Sequence, residues 1–189
     1  MGANSALIFG IIINVAILLV FFRFLMQLAA VSPYNPVVLS TVKATKIVDV
    51  FSRIIPTLGK GRVNTAALVL LVLLYLLKIF GTMHLSGGMP NSPVHLIILT
   101  FVTMIQDLIR FCRYLIFASI ILSWVVMFTQ SRSPYIEVIQ ELAEPLLAPF
   151  RKLMPNMGMI DLSPIFAILT LLIVEMVMNH VAIVLLTGL

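Results

Sequence analysis

Four long apolar segments dominate the pattern of hydrophobic and polar positions along this chain of 189 residues. A transmembrane helix needs about 20 mainly apolar residues, so segments that reach or approach this length predict four membrane-spanning helices. The third segment exceeds one span and must therefore tilt, bend or begin with an interfacial portion. The predicted helices cover about residues 6–30, 65–80 and 164–186, with the third inside 94–128.

Two segments between these helices carry apolar residues at helical spacing, with charged residues on the other faces. In residues 134–155 the acidic side chains come first and the basic ones last, an order that suits the helix dipole. Pro145 and Pro149 each remove a backbone hydrogen bond, so we expect this helix to be kinked or broken. Both segments are too short and polar to span a bilayer and should lie at its interface. The predicted apolar stripes are Ile139, Leu142, Leu146, Phe150 and Leu153 in this segment and Ile47, Val48, Phe51 and Ile55 in the earlier one.

Composition predicts the fold class, and the distribution of charge predicts which side of the membrane each loop faces. Hydrophobic residues make up 61% of the chain and charged residues 10%, against about 25% charged in soluble domains, which predicts an all-α membrane protein in a lipid bilayer. Lys and Arg concentrate in the two long loops, whereas residues 81–92 contain neither. Because basic loops stay in the cytoplasm, both long loops are predicted inside and both termini outside. The net charge of +5 follows from the same rule, so no nucleic-acid partner is expected.

The two long loops also resemble each other. Residues 32–59 and 133–158 both open with Ser-Pro-Tyr and close with an aromatic residue, a basic residue, Pro and Gly. Each loop lies between two predicted spans, which divides the chain into two repeats of span, amphipathic segment and span, residues 1–93 and 94–189. With two spans in each, the repeats are parallel. The matching residues are Phe51, Arg53, Pro56 and Gly59 in the first loop and Phe150, Lys152, Pro155 and Gly158 in the second.

These motifs resemble those of the YggT family, also called YlmG, of bacterial and plastid membrane proteins. The similarity covers nearly the whole chain and is closer in the second repeat, since Arg62 stands where the first repeat should have the Asp of the turn. The residues that carry the resemblance are Arg23, Asn35, Pro36 and Pro56 in the first repeat and Ser123, Trp124, Glu144, Pro145, Pro149, Arg151, Lys152, Pro155, Gly158, Asp161, Ser163 and Pro164 in the second.

The resemblance implies a multi-pass protein of the bacterial inner membrane without catalytic activity. Members of the family are linked to osmotic-stress tolerance, to division-associated loci and, in plastids, to the assembly of a membrane cytochrome. We therefore expect a non-catalytic protein that supports membrane-machinery assembly or organisation, or osmotic-stress tolerance. Its partners would be other membrane proteins or a second copy of itself. A small ion channel or transporter subunit is the alternative.

Charges inside the predicted spans are candidates for a functional site, because a central charge costs at least about 2.5–3.5 kcal/mol. Glu175, near the middle of the last predicted helix, should be protonated, paired or facing a cavity. Our hypothesis is that it faces the bundle interior and holds the two repeats together through a hydrogen bond. Arg23 and Lys78 lie toward the ends of their spans, where snorkelling to the interface explains them.

A second group of charges, at positions 107, 110 and 113, falls on one face of the third helix. The spacing allows an internal pair between Asp107 and Arg110. Two interpretations remain for this face. It belongs either to an interfacial outer segment or to a charged cavity shared with Glu175.

The residues before the last helix give a helix-start signal, with Asp161 and Ser163 as capping residues and Pro164 in the first turn. A partner-binding role for the turn 158–164 is the alternative. The chain has no Walker loop, GxSxG or HExxH motif, and its three histidines have neither metal-ligand spacing nor positions suited to haem. We expect no catalytic residue, no cofactor and no metal site.

Overall fold

The protein is a bundle of long helices with shorter helices packed at one end. The computed structural model describes residues 2–55, 63–88, 92–131, 133–153 and 161–187. Over these residues it contains seven helices: α1 (Gly2–Leu28), α2 (Pro36–Ala44), α3 (Ile47–Ser52), α4 (Thr65–Leu85), α5 (Pro93–Thr129), α6 (Pro134–Leu153) and α7 (Ser163–Thr187).

Four of these helices are long and apolar enough to cross a membrane. The spans are Asn4–Leu28, Thr65–Leu85, Pro93–Thr129 and Ser163–Leu186, with mean hydropathy between 2.0 and 2.8. Large apolar side chains point outward along them, as on α7, where Met176 is 71% exposed. Such a surface is stable only in lipid. The predicted all-α membrane fold with four spans is confirmed.

The third span is one continuous helix of 37 residues rather than a span preceded by a separate segment. At 1.5 Å per residue α5 is about 55 Å long, well beyond the hydrocarbon layer. It begins where Ser92 Oγ accepts a hydrogen bond from the His95 N–H at 3.1 Å. It ends at Gln130, whose φ of 52° is left-handed and terminates the helical ladder.

The long helices pack in pairs that follow the chain. Helix α1 packs on α4, α5 packs on α7, and α4 packs on α5 to join the two pairs. The predicted division into two parallel repeats is not tested by this arrangement and stays a prediction. The core between α1 and α4 includes Ile17, Phe21, Leu71 and Tyr75.

The two amphipathic segments differ from the predicted ones in several details. The first forms two short helices, α2 and α3, and of its stripe Val48 is fully buried while Ile47 is exposed. The second is the single helix α6, which contains Pro145 and Pro149 without a break, so of the two predicted outcomes the break does not occur and the kink stays a prediction. Its buried face packs on α5 and α7, while Leu153, the last residue of the predicted stripe, is 81% exposed. The buried residues of this face are Val138, Leu142, Ala143 and Leu147.

Gly81 of α4 packs directly against the ring of Phe9 on α1. A Cβ atom at this position would collide with the ring of Phe9, whereas a Cβ atom at Gly10 would lie at an ordinary 3.8 Å from Thr82 Cγ2. Small residues allow membrane helices to approach closely, and Gly81 serves this purpose here.

We expect Gly81→Ala to lower the midpoint of thermal unfolding in detergent relative to Gly10→Ala. Both variants gain about the same helix propensity, but only the first must displace the Phe9 ring, an overpacking that costs about 1–3 kcal/mol. Equal midpoints for the two variants would show that the Phe9 ring moves aside freely.

Candidate functional site

Six polar side chains in the long helices form one connected group, which we name the intramembrane cluster. Because α4 and α5 each contribute residues three positions apart, their side chains lie on one face of each helix. The intramembrane cluster consists of Tyr75 and Lys78 on α4, Asp107, Arg110 and Arg113 on α5, and Glu175 on α7.

Glu175 is paired with two arginines. Its side chain is 13% exposed, Arg110 Nε donates to Oε1 at 3.0 Å, and Arg113 Nη1 donates to Oε2. Of the three states expected from the sequence, the paired one is realised. The hypothesis that Glu175 holds the two repeats together is wrong, because both of its partners lie in the same predicted repeat, on α5.

Asp107 instead connects the two halves of the chain. Its Oδ2 accepts a hydrogen bond from Tyr75 Oη at 3.0 Å and lies 3.6 Å from Lys78 Nζ, both on α4. Its Oδ1 accepts from Arg110 Nη1 at 3.3 Å, which confirms the predicted pair within α5. Lys78 therefore pairs inside the bundle instead of snorkelling to the interface.

The location of the intramembrane cluster decides between the two interpretations of the α5 charges. Tyr75 lies in the middle of α4 and Glu175 in the middle of α7, so the α5 residues that contact them lie at the same depth. They do not form an interfacial outer segment. Three cations face two carboxylates, which leaves one positive charge in excess.

A cleft borders the intramembrane cluster on the side of α1. It has a volume of about 240 Å³ and lies between α1, α4 and α5. Tyr75, Asp107 and Arg110 form its polar wall, and Phe21 and Phe111 form part of its apolar wall. Asp107 and Arg110 thus line a cavity, but Glu175 does not, so the expected cavity shared with Glu175 is not formed.

Arg23 forms a second site where α1 meets the amphipathic helices. The residue is 9% exposed, and Nη1 donates to Thr45 O at 2.8 Å and to Thr45 Oγ1 at 3.1 Å. Its Nη2 pairs with Asp49 of α3. Snorkelling is therefore the wrong explanation for Arg23. Sequence reasoning missed Asp49, although it is the sole carboxylate between residues 32 and 59, which was the available signal.

The two amphipathic segments contact each other, and we name the group of α2, α3 and α6 the amphipathic platform. Asn35 caps α2 by accepting from the Val37 N–H at 2.9 Å. Its Nδ2 also donates to the carbonyl of Pro134, the first residue of α6, at 3.1 Å. Ser32 N–H donates to Glu141 Oε2 of α6 at 3.4 Å. The platform is thus linked internally and is anchored to α1 through Arg23.

At the start of α7 the predicted capping is confirmed for Asp161, while Ser163 is the first residue of the helix. Asp161 Oδ1 accepts from the Ser163 N–H at 2.9 Å, and Ser163 and Pro164 are both buried. Arg151 Nε donates to Asp161 Oδ2 at 2.9 Å and Nη1 pairs with Glu144, which ties the end of α6 to α7. Partial desolvation acts to raise the pKa of the Asp161 carboxyl, but the hydrogen bonds from Ser163 and Arg151 outweigh it and hold this pKa below its usual value.

The other candidate residues are not brought into a site. Lys152 is exposed. Pro56, Pro155 and Gly158 lie outside the described residues. Within the described ranges, the structure has no group of three or more His, Cys, Asp or Glu side chains arranged to hold a metal ion.

Comparison with known proteins identifies relatives over most of the chain. The sequence model of the CCB3/YggT family matches residues 98–182. An uncharacterised protein of Pseudomonas aeruginosa is 36% identical over 186 residues, which cover 96% of this chain and 92% of the relative. The uncharacterised protein YggT of Escherichia coli K12 is 32% identical over 166 residues, 87% of this chain and 84% of the relative. No solved structure gives a significant match.

The pairing of Glu175 generates a test of the intramembrane cluster. We expect Glu175→Gln to lower the thermal unfolding midpoint, because breaking a buried pair from one side costs about 3–5 kcal/mol and a partly exposed pair such as this one costs less. The double variant Glu175→Gln with Arg113→Gln restores the charge balance, so it should be more stable than the sum of the single effects by about 0.5–3 kcal/mol. Additive effects in this cycle would show that the two side chains do not interact.

Proposed function

The chain belongs to the CCB3/YggT family, and we propose that it is a non-catalytic protein of the bacterial inner membrane that supports the assembly or organisation of other membrane proteins. Its partners would be other membrane proteins or a second copy of the chain, in addition to the lipid bilayer. The relatives named above come from bacteria with an inner membrane, which supports this location. No role in nucleic-acid binding is proposed.

The observation that carries the proposal is the amphipathic platform. Large side chains on and beside it project away from the bundle, including Tyr34 at 86% and Tyr135 at 70% exposure, although the platform itself is held in place by buried polar contacts. A rigid support that presents exposed aromatic residues next to the membrane is suited to binding, because little conformational entropy is lost when a partner docks.

The alternative, a small channel or transporter subunit, is favoured by the charged intramembrane cluster and its cleft. We rank it second because both carboxylates of the cluster are engaged by cations of neighbouring helices. An ion that used Glu175 as a binding group would have to displace two arginines.

Photocrosslinking in native membranes tests the organising role. A photoreactive residue at Tyr34 or Tyr135 should give discrete adducts with a membrane protein or a second copy, identified by mass spectrometry, whereas one at Met176 should meet only lipid. Adding Arg23→Gln should abolish these adducts while the chain stays in the membrane, because the platform loses its anchor. Growth at raised osmolarity is measured in the same strains. It shows whether the loss of adducts in Arg23→Gln is accompanied by a loss of osmotic tolerance.

Platform positions that give no more adducts than Met176, together with a Glu175-dependent ion flux in proteoliposomes of the purified protein, would replace the organising role by the transport role.

We also propose that both termini and the α4–α5 connection face outward and that the amphipathic platform faces the cytoplasm, following the distribution of Lys and Arg. In a background with Cys112→Ser, an impermeant thiol reagent should label Ser5→Cys and Ser86→Cys in spheroplasts but label Ser40→Cys only after lysis. All three positions are exposed in the structure; Ser40 and Ser86 lie outside the candidate spans, and Ser5 lies at the end of the first one. The reverse labelling pattern would invert the topology.

A further inference from the structure

The cleft beside the intramembrane cluster contains a polar group that the described protein does not satisfy. Asn14, near the middle of α1, lines the cleft on the exposed surface of the helix, and its side chain has no hydrogen-bond partner among the residues that the structure describes. A bilayer core supplies no water to such a group, and an unsatisfied amide there costs several kcal/mol. The cleft should therefore hold a polar occupant within reach of Asn14.

The charge at the cleft is positive. Arg110 lines it with a side chain that is 44% exposed, and the guanidinium uses Nε for Glu175 and Nη1 for Asp107. Together with Lys78 and Arg113, this arginine gives the intramembrane cluster its one uncompensated positive charge. In a medium of low dielectric constant, a single negative charge near Arg110 would be strongly favoured.

The opening and the size of the cleft limit what can occupy it. Leu18, which is 51% exposed, and Tyr114, which is 64% exposed, line the cleft and face the lipid. A volume of about 240 Å³ is well above the roughly 10–15 Å³ that a single water molecule needs by the same measure. The head of an amphipathic molecule and a few carbon atoms fit this space, and the remainder would extend past Leu18 and Tyr114 into the bilayer.

We propose that this cleft binds the carboxylate of a long-chain lipophile, such as a fatty acid, that enters sideways from the membrane. Arg110 would pair with the carboxylate, and the Asn14 amide would donate a hydrogen bond to it. The inference goes beyond the organising role proposed above and does not depend on it.

Depth and charge favour a carboxylate over a phospholipid head group. Tyr75 lies ten residues from the start of α4, about 15 Å along the helix axis, so the cleft is far from the level of phospholipid phosphates. A carboxylic acid can reach that depth in its neutral form and lose its proton beside Arg110. One monoanion also matches the single excess charge of the cluster.

The test uses the full-length protein in nanodiscs of zwitterionic lipid. The probe is hexadecanoic acid with a photoreactive diazirine near the carboxyl group, and the comparison probe is the alcohol with the same chain and diazirine. Labelled peptides are mapped by mass spectrometry. We expect the acid to label the cleft-lining peptides of α1 and α5 at least about tenfold more than the alcohol, because a hydrogen-bonded charge is lost in the alcohol.

Variants and competitors decide the site and the source of the anion. Asn14→Leu, which has no described partner to disturb, and Leu18→Trp, which fills the opening, should each reduce labelling about tenfold. Ile12→Trp, on a different face of α1 and 61% exposed, should leave it unchanged. Unlabelled hexadecanoate should compete, and acetate at the same concentration should not.

Three results would each overturn the proposal. Equal labelling by acid and alcohol would exclude recognition of the anion, and equal losses in Leu18→Trp and Ile12→Trp would exclude the cleft. Competition by acetate as strong as that by hexadecanoate would assign the site to small free anions instead of a lipophile.

Discussion

The cost of holding an unpaired charge in hydrocarbon governs how the long helices of this protein are arranged. Five ionisable groups other than Tyr75 lie in the intramembrane cluster, and each is within salt-bridge distance of an opposite charge. Because an isolated charge at this depth would favour a different packing, the positions of α4, α5 and α7 are coupled to these pairs. Apolar contacts between the helices restrict their positions less, because an apolar side chain can contact lipid tails as favourably as it contacts a neighbouring helix.

The same constraint operates where α1 meets the amphipathic platform. Arg23 is buried, and its guanidinium is satisfied by one carboxylate and by oxygen atoms of Thr45. The Thr45 carbonyl, between α2 and α3, and the Asp49 carboxylate of α3 must therefore both point toward α1. A buried arginine thus fixes helices that would otherwise lie loosely at an interface, and it gives the exposed aromatic residues of the platform a defined position relative to the spans.

The two sites divide the protein into parts with different chemistry. The amphipathic platform offers exposed aromatic and aliphatic surface that suits a protein partner, whereas the cleft beside Arg110 offers positive charge and an unsatisfied amide that suit a small anionic head group. Asp107 joins α4 to α5 and also lines the cleft. An occupant of the cleft would therefore touch the contact that connects the two halves of the chain.

Composition and local sequence patterns by themselves determined the class of fold, the four spans, the presence of an amphipathic helix after Pro134 and the capping of α7 by Asp161. Each of these depends on residues close together in sequence. These patterns also indicated that Glu175 and the charges of α5 needed partners. The partners themselves were decided by tertiary structure. Glu175 pairs with Arg110 and Arg113, which are more than sixty positions away in the chain. Arg23 pairs with Asp49, on the far side of α2 in the sequence. A charge in a low-dielectric interior can be satisfied by any opposite charge that packing brings near, so sequence specifies the need for a partner and only the assembled helices specify which one it is.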